Sequence, residues 1–135
     1  MEQDKETYSW CFGCGKDNPI GLHLQMKRVD NHCEAVFVPQ KEHESYGDRM
    51  HGGLVMTLLD EVMGDYVLKT AGQPAYTAKI DIRFRHSVPL GRPVTVIGTI
   101  TSSRGRLYMT EGKVILDDGT VAVEATAKMM LAKEE

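Results

Sequence analysis

Apolar and polar residues follow two different periods along this 135-residue chain. Six short segments alternate or are rich in β-branched residues, as strands with a buried face do: 22–27, 33–38, 75–88, 93–102, 107–116 and 121–131. Between the second and third segments, residues 53–69 repeat apolar positions at helical spacing. Glycine, aspartate and asparagine mark the turns between segments. The pattern predicts an α+β fold in which an antiparallel sheet of five or six strands wraps one central helix.

The predicted helix is apolar on two sides. One side carries Leu54, Leu58 and Val62, and the other carries Asp60 among Met56, Met63 and Val67. A carboxylate among apolar neighbours is costly to bury without a purpose or a partner, so Asp60 is a candidate functional group. Two apolar sides indicate that the sheet covers one side and that a partner subunit covers the other.

The turn His51-Gly52-Gly53 opens this helix. Glycine has no Cβ, and the first amides of a helix are unpaired and carry partial positive charge, so the turn is a plausible cradle for a polarised carbonyl oxygen. Gly52 and Asp60 are separated by roughly 12 Å along the helix. One atom therefore cannot meet both groups of one chain. Two antiparallel copies of the helix would bring them together, which predicts a dimer with two equivalent sites.

Composition places further bounds on the chain. Its length predicts a single domain over 1–135, with 1–21 as a lead-in segment. The net charge of −3 argues against a nucleic-acid partner. The first seven residues are polar, and no apolar run approaches the roughly 20 residues that span a bilayer, so we expect a cytoplasmic protein without a membrane partner. Three cysteines do not form a disulfide framework.

The sequence His51-Gly52-Gly53 followed by Asp60 resembles the signature of hot-dog-fold acyl-CoA thioesterases, in the branch of the phenylacetic-acid-pathway and THEM-type enzymes. Segments 11–22 and 77–91 extend the resemblance. It implies a homodimer, often paired into a tetramer, that hydrolyses an acyl-CoA thioester without a cofactor or metal. It further implies that the Gly52 N–H binds the thioester oxygen, that Asp60 of the facing subunit is the base or nucleophile, and that Thr77 helps to hold the attacking water or the substrate.

Other residues are expected to shape the substrate site. Gly53 and Met56 belong to the glycine turn and the helix, and His51 either acts directly or caps the helix. Ser45 stands where several relatives have asparagine. The phosphates of CoA need cations, and Arg104-Gly105-Arg106 is the best local cluster among the candidates Arg83, Arg85, Arg92, Arg104, Arg106 and Lys128.

Several alternatives stay open at this stage. A hot-dog module that binds acyl-CoA without catalysis is one, and a hot-dog hydratase or dehydratase is another, although His23 does not stand at the spacing from Asn18-Pro19 that the hydratase branch uses. Cys11-Phe12-Gly13-Cys14 is a lone Cys-x-x-Cys. It is predicted to be a structural turn, with metal binding and redox chemistry left open, because His23, His32 and Cys33 fit no standard ligand spacing.

Overall fold

A computed structural model describes residues 8–132 of the chain. The polar residues 1–7, on which the prediction about a signal sequence depends, lie outside this range. In chain order the elements are β1 (Lys27–Val29), β2 (His32–Phe37), a 3₁₀ turn (Lys41–His43), α1 (Gly52–Ala71), β3 (Ala75–Phe84), β4 (Val94–Arg104), β5 (Leu107–Ile115) and β6 (Val121–Leu131).

The six strands form one antiparallel sheet in the order β1-β2-β4-β5-β6-β3. Consecutive strands pair as hairpins at β1–β2, β4–β5 and β5–β6, and their turns contain the predicted residues Asp30 and Gly119, both at positive φ. Strand β3 returns from the helix to pair with β6, so it is an edge strand. The predicted hot-dog architecture, a six-stranded sheet around one helix, is confirmed.

Helix α1 buries one wide face against the concave side of this sheet. The buried residues of the helix are Val55, Leu58, Leu59, Val62, Met63, Tyr66 and Val67. The prediction of two opposed apolar sides was therefore wrong for Met63 and Val67, which are covered by the chain's own curved sheet and are fully buried. Met56 remains outside that face and is 39% exposed.

Two glycines let the helix lie close to the sheet. Gly98 of β4 and Gly112 of β5 are directly paired across the sheet. A Cβ at Gly98 would come within 2.8 Å of the Met63 backbone nitrogen, and one at Gly112 within 3.0 Å of a Leu59 methyl carbon. The helix backbone occupies the space that side chains would fill, so these glycines fix the depth at which the helix lies.

The first predicted strand is shorter than expected. Segment 22–27 alternates, but pairing with β2 covers only Lys27–Val29. Leu22 and Leu24 are nevertheless buried, and their amides donate to the carbonyls of Phe12 and Gly13 at 2.8 and 2.9 Å. The lead-in loop, rather than the sheet, thus accepts the backbone hydrogen bonds of this stretch. Within residues 8–132, no helix has the length and apolar character needed to cross a membrane.

Candidate active site

Asp60 lies at the margin of the buried helix face and is partly open to solvent. The hydroxyl of Thr77, near the start of β3, donates a hydrogen bond of 2.5 Å to Asp60 Oδ1. The other carboxylate oxygen, Oδ2, has no partner within residues 8–132. Because an ionised carboxylate accepts several hydrogen bonds, Oδ2 can receive a proton donor such as water while Thr77 fixes its neighbour.

A β-bulge turns the side chain of Thr77 towards the helix. The pairing of β3 with β6 changes register after Thr77, which lies opposite Met129, whereas Lys79 lies opposite Lys128. In unbroken alternation Thr77 would share the outward face of Lys79, since side chains repeat every second residue. The additional residue, Ala78, reverses that parity. Alternation along segment 75–88 predicts that Ala78 shares the inward face of Ile80 and Ile82; this prediction was wrong, and Thr77 takes a helix-facing position instead.

The start of the helix leaves one amide free. His51 is the N-cap residue, and its Nδ1 accepts a hydrogen bond of 2.9 Å from the N–H of Gly53. The His51 carbonyl accepts from Leu54 and Val55. Within residues 8–132 the Gly52 N–H has no acceptor. Of the two glycines, Gly52 therefore offers the unpaired donor, and His51 has the capping role that was one of its two predicted possibilities.

A cavity of about 330 Å³ opens beside this amide. Gly52, Ser45, Val55 and Phe84 are among the residues that line it. The structure thus brings the predicted substrate-binding Ser45 to the same place as Gly52. A larger concavity of about 610 Å³ lies on the outward face of the sheet and is lined mainly by charged side chains of both signs. That concavity is on the side of the sheet that faces away from the helix, Gly52 and Asp60.

The predicted site residues fall into two groups on one protomer. Asp60 and Thr77 meet near the start of β3, whereas Gly52 lies beside Phe84 at the end of the same strand. The two groups are separated by roughly 12 Å along the helix. Met56, partly exposed, lies between them. A single protomer therefore does not bring Asp60 and Gly52 to one reacting atom.

The basic residues differ in whether they have acidic partners. Arg85 and Arg92 form salt bridges with Glu124 and Asp117 at 2.8 and 2.9 Å. Arg104 and Arg106 are exposed at the β4–β5 hairpin, where Arg106 donates to the Leu131 carbonyl at 3.1 Å. Leu131 pairs with the first residue of β3, so this hairpin lies at the Thr77 end of the sheet.

The sequence did not single out Glu61, which the structure places beneath the lead-in segment. Cys11 Sγ donates to Glu61 Oε1 at 3.4 Å. Burial raises the pKa of Glu61, and the hydrogen bonds from Cys11 and Cys14 oppose that rise. Burial, followed by the Glu61 charge, raises the pKa of the Cys14 thiol well above its usual range. Helical periodicity places Glu61 on a polar stripe with Thr57 and Asp65, and this periodicity carries no information about the lead-in that covers Glu61.

The family model for the thioesterase superfamily matches residues 47–123. The chain belongs to the thioesterase superfamily. The matched segment includes Gly52, Asp60 and Thr77. A search of curated proteins finds no significant match.

Solved structures of other proteins share the fold, including two that carry a thioesterase superfamily name. One such protein has a TM-score of 0.82 and 23% identity over 92% of this chain, which spans only 61% of that protein's length. A zebrafish protein, thioesterase superfamily member 2, has a TM-score of 0.79 and 14% identity, with 95% and 98% of the two chains covered. A Streptococcus mutans protein bound to acetyl CoA has a TM-score of 0.75 and 20% identity, with 83% and 90% covered. At these identities the likeness establishes the fold alone.

Proposed function

We propose that this member of the thioesterase superfamily hydrolyses an acyl-CoA thioester, with Asp60 and Gly52 contributed by different protomers of a dimer. The observation that carries the proposal is the hydrogen bond from Thr77 to Asp60 at one end of an exposed edge strand, with the unpaired Gly52 amide at the other end. Superfamily membership supports thioester hydrolysis, and the acetyl CoA held by the Streptococcus mutans protein supports CoA as the carrier.

The edge strand offers a simple route to the dimer. Strand β3 is ten residues long and is paired on one side only, and its end residue Phe84 is 51% exposed. A long unprotected edge is a template for pairing with another strand. Antiparallel pairing of two copies of β3, with the two-fold axis near Ile80, would place the Thr77 end of one strand beside the Phe84 end of its partner. Asp60 of one protomer would then approach the partner's Gly52.

The chemistry follows from these two groups. The Gly52 N–H donates to the thioester carbonyl oxygen and stabilises the negative charge that develops there. Asp60 either removes a proton from the attacking water or attacks the carbonyl itself to form an anhydride that water then cleaves. In both routes the CoA sulfur departs as a thiolate and gains a proton. Thr77 fixes the orientation of the carboxylate so that Oδ2 faces the reacting carbon.

The hairpin that contains Arg104 and Arg106 provides a binding position for CoA. Arg104 and Arg106 lie at the Thr77 end of the sheet, and neither forms a salt bridge with an acidic residue within 8–132. Guanidinium groups match phosphate oxygens in charge and geometry. We therefore assign the CoA phosphates to this hairpin, with the acyl chain directed towards the cavity beside Gly52.

Mixing two inactive variants tests the shared site. Asp60→Asn removes the base or nucleophile, and Gly52→Pro removes the amide hydrogen. In a mixed dimer one site would contain both intact groups and the other would contain neither. Random association should therefore restore about a quarter of wild-type activity, because half the dimers are mixed and each has one complete site. CoA release from a panel of acyl-CoAs, measured with a thiol reagent, provides the assay.

The controls are each variant alone and each variant refolded with itself. Absence of recovery in verified mixed dimers would show that Asp60 and Gly52 do not act across a subunit boundary. Undiminished hydrolysis by Asp60→Asn and Asp60→Ala would refute the role of Asp60 in catalysis. Hydration of an enoyl-CoA in place of thioester cleavage would favour the hydratase alternative, and binding of acyl-CoA without turnover would favour the non-catalytic module.

A further inference from the structure

Two thiols and a carboxylate converge where the lead-in segment crosses helix α1. The ligand atoms of Cys11, Cys14 and Glu61 all lie within 4.8 Å of one another. The closest described contact joins Cys11 Sγ to Glu61 Oε1 at 3.4 Å, across 50 residues of sequence. All three side chains are partly buried. Within residues 8–132, no other set of three such side chains comes as close together.

The lead-in backbone is shaped to present these thiols to the helix. The Gly15 N–H donates to the Cys11 carbonyl at 2.8 Å, which closes the Cys-x-x-Cys turn. A Cβ on Gly13 would lie 2.1 Å from the Glu61 side chain, and one on Gly15 would lie 2.4 Å from the Cys11 amide nitrogen. Both glycines thus allow the turn to close tightly and to press against the carboxylate, which an ordinary side chain would prevent.

The three acidic groups of the cluster need a positive charge to balance them. Each of its three groups becomes an anion when it loses its proton, and within residues 8–132 no lysine, arginine or histidine forms a salt bridge with Glu61. The proposed hydrolysis uses Asp60, Thr77 and Gly52, and so gives these side chains no task. Converging anionic ligands that include two sulfurs suit a thiolate-preferring divalent cation better than they suit calcium or magnesium.

We propose that Cys11, Cys14 and Glu61 bind one zinc-type divalent cation, with a solvent molecule at the fourth tetrahedral position. Zinc–sulfur bonds of about 2.3 Å and zinc–oxygen bonds of about 2.0–2.2 Å place tetrahedral ligand atoms roughly 3.5–3.8 Å apart. The cluster therefore needs to contract by only about 1 Å. Binding displaces the protons of both thiols, which pass to solvent, and no electron is transferred.

The bound cation would fasten the lead-in to the helix next to the proposed active site. Glu61 directly follows Asp60, and the Cys11 and Cys14 turn lies over it. A metal that binds the folded chain and not the unfolded chain raises the free energy of unfolding. We therefore expect the cation to have a structural role, holding residues 11–14 against the helix.

Metal titration of the intact, reduced protein tests the proposal. The protein is stripped with a chelator, kept in a phosphine reductant and titrated with Co²⁺ and then Zn²⁺. We expect one equivalent per chain, a thiolate-to-cobalt charge-transfer band that Zn²⁺ abolishes, and a higher Tm with Zn²⁺. Cys11→Ser and Cys14→Ser should each weaken Zn²⁺ binding by at least about 100-fold and reduce the band, since each removes a coordinating thiolate.

Cys33→Ser provides the matched control. The Cys33 thiol also contacts a helix carboxylate, Asp65 Oδ2 at 3.4 Å, but it has no second cysteine beside it. This variant should bind Co²⁺ and Zn²⁺ as the wild type does. Glu61→Gln should keep the thiolate band and weaken Zn²⁺ binding, because it retains both sulfurs and loses the anionic oxygen.

Protection from alkylation gives a measurement that does not depend on whether the variants fold. In the wild-type protein, one equivalent of Zn²⁺ should protect Cys11 and Cys14 from iodoacetamide and should leave the modification of Cys33 unchanged, as read by peptide mass spectrometry. Absence of stoichiometric uptake, uptake equal in Cys11→Ser and Cys14→Ser, or a Cys11–Cys14 disulfide that persists in the reductant would each overturn the proposal. These readouts do not involve acyl-CoA, so the proposed hydrolysis can fail independently.

Discussion

Replacement of Gly52 by proline separates the amide hydrogen from the shape of the helix. Gly52 is the first residue of α1, the position at which proline is best tolerated because its missing N–H has no intrahelical partner. The preceding residue, His51, has φ −59° and ψ 130°, which a following proline permits. Apart from its chain neighbours, a Cβ at Gly52 would meet only the Phe84 ring among residues 8–132, at 3.6 Å. We therefore expect Gly52→Pro to fold with a stability close to that of the wild type.

Gly52→Pro should lower kcat rather than stability. If the Gly52 N–H donates to the thioester oxygen, its removal should lower kcat by about 10²–10³, or about 3–4 kcal/mol, as the loss of a single oxyanion donor does in other enzymes. Gly52→Ala keeps the N–H and adds the Cβ, so it accounts for crowding at the same position. The two variants are compared by steady-state hydrolysis of the best acyl-CoA substrate, with circular dichroism and thermal melting as folding controls.

Comparing the kcat of Gly52→Pro with that of Gly52→Ala tests the role of the Gly52 N–H. A folded Gly52→Pro protein with the same kcat as Gly52→Ala would show that the amide hydrogen does not stabilise the transition state. The oxyanion would then need another donor, and the assignment of the glycine turn would fail. Equal losses in both variants would point instead to close approach of the substrate, for which glycine is needed because it lacks a Cβ.

Three further predictions concern Asp60, the core and a buried thiol. Thr77→Val should lower kcat about tenfold or more, whereas Thr77→Ser should retain most activity, because a hydrogen bond to a charged group contributes about 1.5–3 kcal/mol. In urea denaturation, Gly98→Ala should lower the free energy of unfolding by about 1–3 kcal/mol, because its Cβ would meet the helix backbone. Gly64→Ala has open space around it and should raise the free energy of unfolding by about 0.5–1 kcal/mol. Burial first and Asp65 second raise the pKa of Cys33 from 9.0 to about 12. The unfolded thiol therefore ionises first, stability should fall as the pH rises from about 9 towards 12, and Cys33→Ala should reduce that slope.

Periodicity was sufficient to predict the architecture, because strand and helix patterns each reflect which side of an element is buried. The helix was expected over 53–69 and spans Gly52–Ala71, ended by Gly72 in the left-handed conformation. The inward residues of β6, from Val123 to Met129, are buried as alternation requires. For β6, alternation alone therefore identified the buried face, whereas for Met63 and Val67 it did not show that the chain's own sheet covers them.

The candidate active site was harder to predict from the sequence, because its geometry depends on departures from strand and helix periodicity. Unbroken alternation would place Thr77 on the outward face, and only the resemblance to the thioesterases assigned it to the site. The bulge at Ala78 reconciles the two by moving Thr77 to the helix side. Nothing in the residue types of segment 77–79 specifies a bulge. Likewise, no local pattern shows that a lead-in turn near Cys11 covers a glutamate 50 residues away.

Adjacent acids on one helix acquire different roles from the elements that pack beside them. Asp60 meets the hydroxyl of an edge strand and keeps one oxygen available, which suits a group that must exchange protons with a substrate. Glu61, roughly 100° further around the helix, lies beside two thiols and is partly buried. If the two side chains were exchanged, each acid would therefore lack the surroundings that its proposed role requires. The edge strand and the lead-in, rather than the helix sequence alone, separate the proposed hydrolytic site from the proposed metal site.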